Sequence, residues 1–333
     1  LQLFINALHE PTDNITSENA CNKLFALLLK GVLDKKYSRI IIIPENELNY
    51  FPFETLKENG NYLIRDYSFQ YQYSTLLLKN EPADFKEATI ISFAPFINRD
   101  FSDKNVQFGQ LNFSEKEIKD LKGNQFVGAE ATKKNFLEHI YGKDIVHLAT
   151  HAVASNNPDK PSFIAFAPWD ARLPIDYLLY SPEIYNLSLQ NKLVILSACE
   201  TGYGRLERGE GVMSLTRAFA YAGCPDIITS FWKAEDESTA YISAKFHLYL
   251  KKGLPIDLAL QRAKNDYLAD KSINPRKKQP AYWANLVFIG NYQPLTHSFP
   301  SIWLIVFVFG LVLYVFLRRP LKGLLLHKKD FAK

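Results

Sequence analysis

The spacing of apolar residues changes period several times along the chain. Residues 19–36 (NACNKLFALLLKGVLDKK) set Leu24, Leu27, Leu28 and Val32 at helical spacing, and after Arg39 the IIII run is all apolar up to Pro44. A helix feeding a buried strand is the expectation. LIRDYSFQYQYS alternates with the period of a strand that has one exposed face, and ATIISFAP is a further short β-rich run closed by a proline. After a polar stretch over 98–112, SEKEIKDLKG reads as a helix with Ser114 as N-cap, Glu117 at the capping-box position and Gly123 as the stop. ATKKNFLEHI is a second short helix. From Lys143 onward the strand-like runs KDIVHLATHA, SFIAFAP, KLVILSA, DIITSFW and WANLVFIG are interleaved with helical GVMSLTRAFAYAG, STAYISAKFHLYLKKG and PIDLALQRAKNDYLA. Gly223 and Gly253 stop helices, and Pro255 opens one. Strands alternating with helices predict an α/β sheet with helices on its faces and ligands beyond the carboxyl ends of its strands.

Composition narrows the class. The 333 residues are 47% hydrophobic, enough for a large core. Net charge is +4, from 39 basic and 35 acidic residues, with much of the excess at the extreme C-terminus, so the folded part carries no nucleic-acid footprint. Cys21, Cys199 and Cys224 are the three cysteines, with no CxxC pair, which disfavours a disulfide framework or zinc finger. Leu1 in place of a methionine suggests a segment of a longer protein. Residues 298–317 (SFPSIWLIVFVFGLVLYVFL) hold no charge and match the length needed to cross a bilayer core of about 30 Å, so they are expected to form a transmembrane helix. The tail, residues 318–333, carries six Lys or Arg against the single acid Asp330, whereas residues 281–300 carry none. That asymmetry favours a cytoplasmic tail and a globular part on the periplasmic side; a tail anchor inserted after synthesis would instead leave it in the cytosol.

Candidate chemistry sits at two strand ends. His151 falls just past the apolar run Ile145–Thr150, and Cys199 just past Leu193–Ala198. If the two strands are parallel neighbours, both residues emerge at one sheet edge, where an imidazole could take the proton of a thiol whose ordinary pKa is about 8.5. Packing alone would also account for each residue singly. Cys224, between Gly223 and Pro225, has no such partner. His147 and His151 are four apart, but on a strand that spacing spans about 13 Å, too far for one metal ion, so His147 reads as a core or supporting residue. GYGRLERGEG lacks the lysine of a phosphate loop.

Taken in order, IIIPENELNYFPFETL, NYLIRDYSFQYQYS, IVHLATHA, LVILSACETGYG, GEGVMSLTRAFAYAG, SFWKAEDEST and YWANLVFIG resemble the motifs of the CHAT domain, a branch of the caspase and separase clan of cysteine peptidases. The resemblance covers residues 20 to 292. It implies a caspase-like sheet with helices on both faces, in two caspase-like lobes: a non-catalytic lobe over 1–126 and a catalytic lobe over 127–293, followed by the 298–317 helix and the basic tail. It also implies His151 as general base, Cys199 as nucleophile, no metal or organic cofactor, and a protein or peptide substrate. Ala152 stands where the family commonly has glycine; its N–H and that of Cys199 could still hold an oxyanion if the local φ is not strongly positive. Asp236 resembles the acidic position that receives a basic side chain in separase-like relatives, while helix capping by Asp236 or Ser238 is the alternative. The family's habit of joining helical repeats and regulatory partners leaves a catalytically silent scaffold as the rival function.

Overall fold

The computed structural model describes residues 14–45, 48–49, 51–79, 83–104, 106–155, 160–197, 211–232, 235–291 and 294. Helix α1 (Asn14–Leu28) leads to β1 (Arg39–Ile42), a small hairpin of β2 (Lys57–Glu58) and β3 (Asn61–Tyr62), and β4 (Ser68–Tyr71). Next come β5 (Ile90–Ala94), a hairpin of β6 (Phe101–Ser102) and β7 (Gln107–Phe108), α2 (Ser114–Ile118), β8 (Gly123–Val127) and α3 (Lys133–His139). Strand β9 (Ile145–Leu148) is followed by a small sheet of β10 (Ala152–Val153), β11 (Phe163–Ala165) and β12 (Leu178–Tyr180), with α4 (Pro174–Tyr177) and α5 (Ser181–Tyr185) on either side of β12. The chain continues through β13 (Leu193–Leu196), α6 (Gly211–Tyr221), β14 (Ile227–Ser230), α7 (Asp236–Lys251), α8 (Ile256–Ala269), α9 (Pro280–Trp283) and β15 (Leu286–Ile289).

Eight of these strands form one mixed sheet in the order β1-β4-β15-β14-β13-β9-β5-β8. From β14 to β8 every neighbouring pair is parallel; β15 is antiparallel to β14 and parallel to β4, which is parallel to β1. Both faces are covered, which is why the central strands are continuous apolar runs. On one face Ile145, Leu193, Ile195 and Ile228 pack with Ile242 and Phe246 of α7 and Ala259 and Ala263 of α8. On the other, Val146, Leu148, Val194 and Leu196 pack with Phe136 of α3, Ile184 of α5 and Phe219 of α6.

In the sheet β5 and β8 lie beside β9, β15 sits beside β4, and strand direction reverses between β14 and β15. Two expectations are corrected. Strand β4 has no exposed face: all four residues are buried, and the polar alternation serves internal bonds. Ser68 Oγ donates to Asp257 on α8 (2.7 Å), while Gln70 and Gln72 both donate to the Gly290 carbonyl just past β15 (2.6 and 3.0 Å). Finally, Ser114 is the first residue of α2 and not its N-cap, and its hydroxyl donates back to the Leu111 carbonyl (2.7 Å).

Two ion pairs lie inside this frame. Arg39 of β1 grips Asp257 through two hydrogen bonds (2.6 and 2.5 Å). Lys264 of α8, fully buried, donates to Glu54 (2.8 Å), whose second oxygen accepts from the Tyr71 hydroxyl (2.6 Å). Among the described residues no helix is long and apolar enough to cross a membrane, and the expected anchor at 298–317 lies outside them.

Candidate active site

Strands β9 and β13 are parallel neighbours, with Leu148 opposite Leu196. His151 follows Leu148 by three residues and Cys199 follows Leu196 by three; Cys199 itself lies outside the described residues. Past Leu148 the chain stays fastened on both sides. The Ala149 amide donates to the Phe93 carbonyl of β5 (2.9 Å), Thr150 Oγ1 donates to the Ala165 carbonyl (2.6 Å), and the Ala165 amide donates to the His151 carbonyl (2.8 Å).

His151 is buried, and its ring is defined by the hairpin that follows β5. Phe108 stacks on it with centroids 5.3 Å apart and planes 16° from parallel, and Phe96 meets it edge-on at 4.9 Å. Its Nε2 lies 2.7 Å from the Gly109 carbonyl. A carbonyl only accepts, so Nε2 carries the hydrogen, and in the neutral ring Nδ1 is then the basic nitrogen. Phe96, Phe108 and Gly109 were not picked out from the sequence. Their one signal is the set of aromatics, Phe101 and Phe108 among them, inside a stretch otherwise read as polar.

Ala152 pairs with Ile164 across β10 and β11. Since the Ala165 amide donates to the His151 carbonyl, this is a non-hydrogen-bonded pair, and the Ala152 amide is directed away from β11. Among the described residues the non-glycine positions with positive φ are Asn59 and Asn98, so Ala152 meets the backbone condition for an oxyanion donor.

Asp236 opens α7, just beyond the carboxyl end of β14, which neighbours β13. Its Oδ2 accepts from the Phe113 amide (2.6 Å), a bond neither alternative anticipated: it fastens the segment carrying Gly109 to the start of α7. Neither residue caps the helix: the N-cap is Glu235, with no side-chain cap bond, and the Ser238 hydroxyl only donates back to the Glu235 carbonyl (3.0 Å). Burial pushes the Asp236 carboxyl up to about 6; the Phe113 amide opposes this, while Glu117 and Glu235 add to it.

His147 and His151 do not share a site. His147 is fully enclosed, with Nε2 3.0 Å from Glu117 and Nδ1 2.9 Å from His247 of α7. Glu117 therefore serves the sheet and not a capping box. No cluster able to hold a metal ion occurs among the described residues. Cys21 and Cys224 are buried, and burial drives the Cys224 thiol well above its ordinary range.

The model of the CHAT domain family matches residues 17–291. Tetratricopeptide repeat protein 28 of Mus musculus is 23% identical over 303 residues, and that of Homo sapiens 24%; each alignment covers 77% of this chain. The chain spans 12% of the length of either relative. Among solved structures, the Saccharomyces cerevisiae separase–securin complex aligns at a TM-score of 0.47 and 13% identity, covering 73% of this chain and 15% of that one. The Arg-specific cysteine proteinase gingipain R aligns at 0.44 and 8%, covering 86% and 69%. Likenesses this distant carry no weight for the site.

Proposed function

The chain belongs to the CHAT domain family, and on that premise we propose that it is a cysteine endopeptidase that cleaves after a basic residue. The observation that supports this best is that four adjacent parallel strands end at one sheet edge: β5 runs on to the hairpin and Gly109, β9 to His151 and β14 to Asp236, while in the sequence Cys199 comes three residues after the end of β13. In the proposed reaction, His151 Nδ1 takes the Cys199 proton as sulfur attacks the peptide carbonyl. The oxyanion is held by the amides of Ala152 and Cys199, and the imidazolium then protonates the leaving amine. Water attacks the thioester, and the Cys199 thiol leaves. The Gly109 carbonyl keeps Nε2 as the donor throughout, so the ring presents the same nitrogen to each proton transfer. Asp236, whose carboxylate pairs well with a guanidinium, selects the basic side chain. The uncharged run at 298–317 anchors the protein, with the globular part on the periplasmic side; exposing intact spheroplasts to protease tests this, since protection of the globular part would reverse the orientation.

A pool of diverse peptides, incubated with the full chain and its variants, tests the reaction. Cys199→Ala and His151→Ala are each expected to abolish turnover, and the double variant to be no worse than either. Wild-type turnover by Cys199→Ala would refute the proposal. A second reading, a silent scaffold that binds partners, draws on the matched relatives being named for tetratricopeptide repeats. Electrophile labelling separates the two, because Cys21 and Cys224 are buried and a selectively reactive thiol must be Cys199.

A further inference from the structure

His147 joins three parts of the molecule at a single side chain. Glu117 reaches it from α2, His247 from α7, and Ser197, the first residue past β13, from the next strand (Nε2 to Oγ, 3.2 Å). Glu117 and His147 are 3% and 0% exposed, and His247 is 7% exposed. Of the neighbouring positions on this face of the sheet, Ile145 two residues earlier on β9 and Ile195 in register on β13 are aliphatic, while Ser92 in register on β5 is a buried hydroxyl.

The hydrogen inventory closes. A carboxylate only accepts, so His147 Nε2 carries a hydrogen, directed at Glu117 Oε1 and shared with Ser197 Oγ. The Ser197 hydroxyl in turn donates to the Leu148 carbonyl (3.3 Å), the last residue of β9. Ser197 is thus held from two directions: by the imidazole at its oxygen and by the strand that leads to His151. His247, kept neutral by burial and by its proximity to His147, completes the edge by sharing one hydrogen between its Nε2 and His147 Nδ1. Burying three ionisable groups where aliphatic side chains would fill the space costs desolvation free energy, and an apolar replacement of such a cluster is often neutral or stabilising. Stability alone does not account for the cluster.

We propose that Glu117, His147, His247 and Ser197 are a relay of positioning residues that fixes the exit of β13 against the exit of β9, and so sets the Cys199 thiol relative to His151. This rests on the peptidase reading only for its consequence in turnover. A displacement of about 1 Å at a reacting group costs up to about a hundredfold, so loss of one hydrogen bond in the relay is expected to show as a rate effect with little change in stability.

The test compares Ser197→Ala, Ser197→Thr and His147→Gln in the full chain, reading Tm, the alkylation rate of Cys199 by iodoacetamide at pH 7, and kcat and KM for a cleaved peptide. Ser197→Ala removes one hydroxyl and is expected to keep Tm within a few degrees, slow alkylation about tenfold and lower kcat with KM unchanged, while Ser197→Thr restores both. His147→Gln is expected to slow alkylation at least as much. Wild-type alkylation rates in Ser197→Ala would overturn the relay whether or not the protein cleaves peptides. Should wild type cleave nothing yet lose Cys199 reactivity on Ser197→Ala, the relay stands and the peptidase reading falls.

Discussion

Asp236→Asn separates what this carboxylate does for the fold from what it does for a substrate. Asparagine keeps the oxygen that accepts from the Phe113 amide, so the bond across to the Gly109 segment survives and only the charge is lost. Burial, ahead of the neighbouring Glu117 and Glu235, raises the carboxyl from 3.8 to about 6. Between those values the folded protein binds the proton that the unfolded chain has released. Stability from this group is therefore full below about pH 4 and falls as pH rises through about 6. The gap corresponds to about 3 kcal/mol, and partial exposure to solvent reduces it to about 1.5 kcal/mol. Asp236→Asn is thus expected to be more stable than wild type by about 1.5 kcal/mol at pH 8, the gain shrinking to about half at pH 5. Urea denaturation at the two pH values measures it. In parallel, kcat/KM for Arg peptides should drop by on the order of 2 to 4 kcal/mol while small apolar peptides lose little. A variant no more stable than wild type at pH 8, or a gain independent of pH, would refute the claim that this carboxylate is held against its desolvation cost.

Two further outcomes concern the frame. Lys264→Met should cost about 3–5 kcal/mol by leaving Glu54 buried without its cation, and adding Glu54→Gln should recover more than half, both read from urea midpoints; additive losses would contradict the pairing. Gly290→Ala should cost about 1–3 kcal/mol, because a Cβ there would lie 2.4 Å from Asp226 Oδ1 and 2.9 Å from its Cα; an unchanged Tm would show that the β14 entrance yields freely.

The parallel half of the sheet was legible because parallel strands buried on both faces are written as unbroken apolar runs, and the runs ending before His151 and Cys199 have matching lengths. What escaped was contact between segments remote in sequence. Glu117 has capping-box spacing after Ser114, yet its partner is His147, thirty residues on across the sheet. The alternation in β4 was real, but its polar side chains meet Asp257 and the Gly290 carbonyl instead of water. The hairpin that orients His151 is too short for a period, so Phe101 and Phe108 stood out only as aromatics in polar company. Chain order does not report which strand lies beside which, so the place of β15 between β4 and β14 was not legible either.

The position of β15 bears on how the protein is made. It is the last strand of the sheet in chain order and sits between β4 and β14, and Gln72 and Gly290, which clasp at that seam, are 218 residues apart. At about 5–20 residues per second, a ribosome needs on the order of 10–40 s to travel from one to the other. Throughout that time β4 offers an open edge of unpaired amides beside apolar surface, joined by the edge of β14 once residue 230 has been made, the kind of edge that recruits strands from other chains. Nascent chains should therefore depend on a holding chaperone until the seam closes, and translation stalled just before residue 286 should yield aggregates, whereas release after residue 291 should yield folded protein.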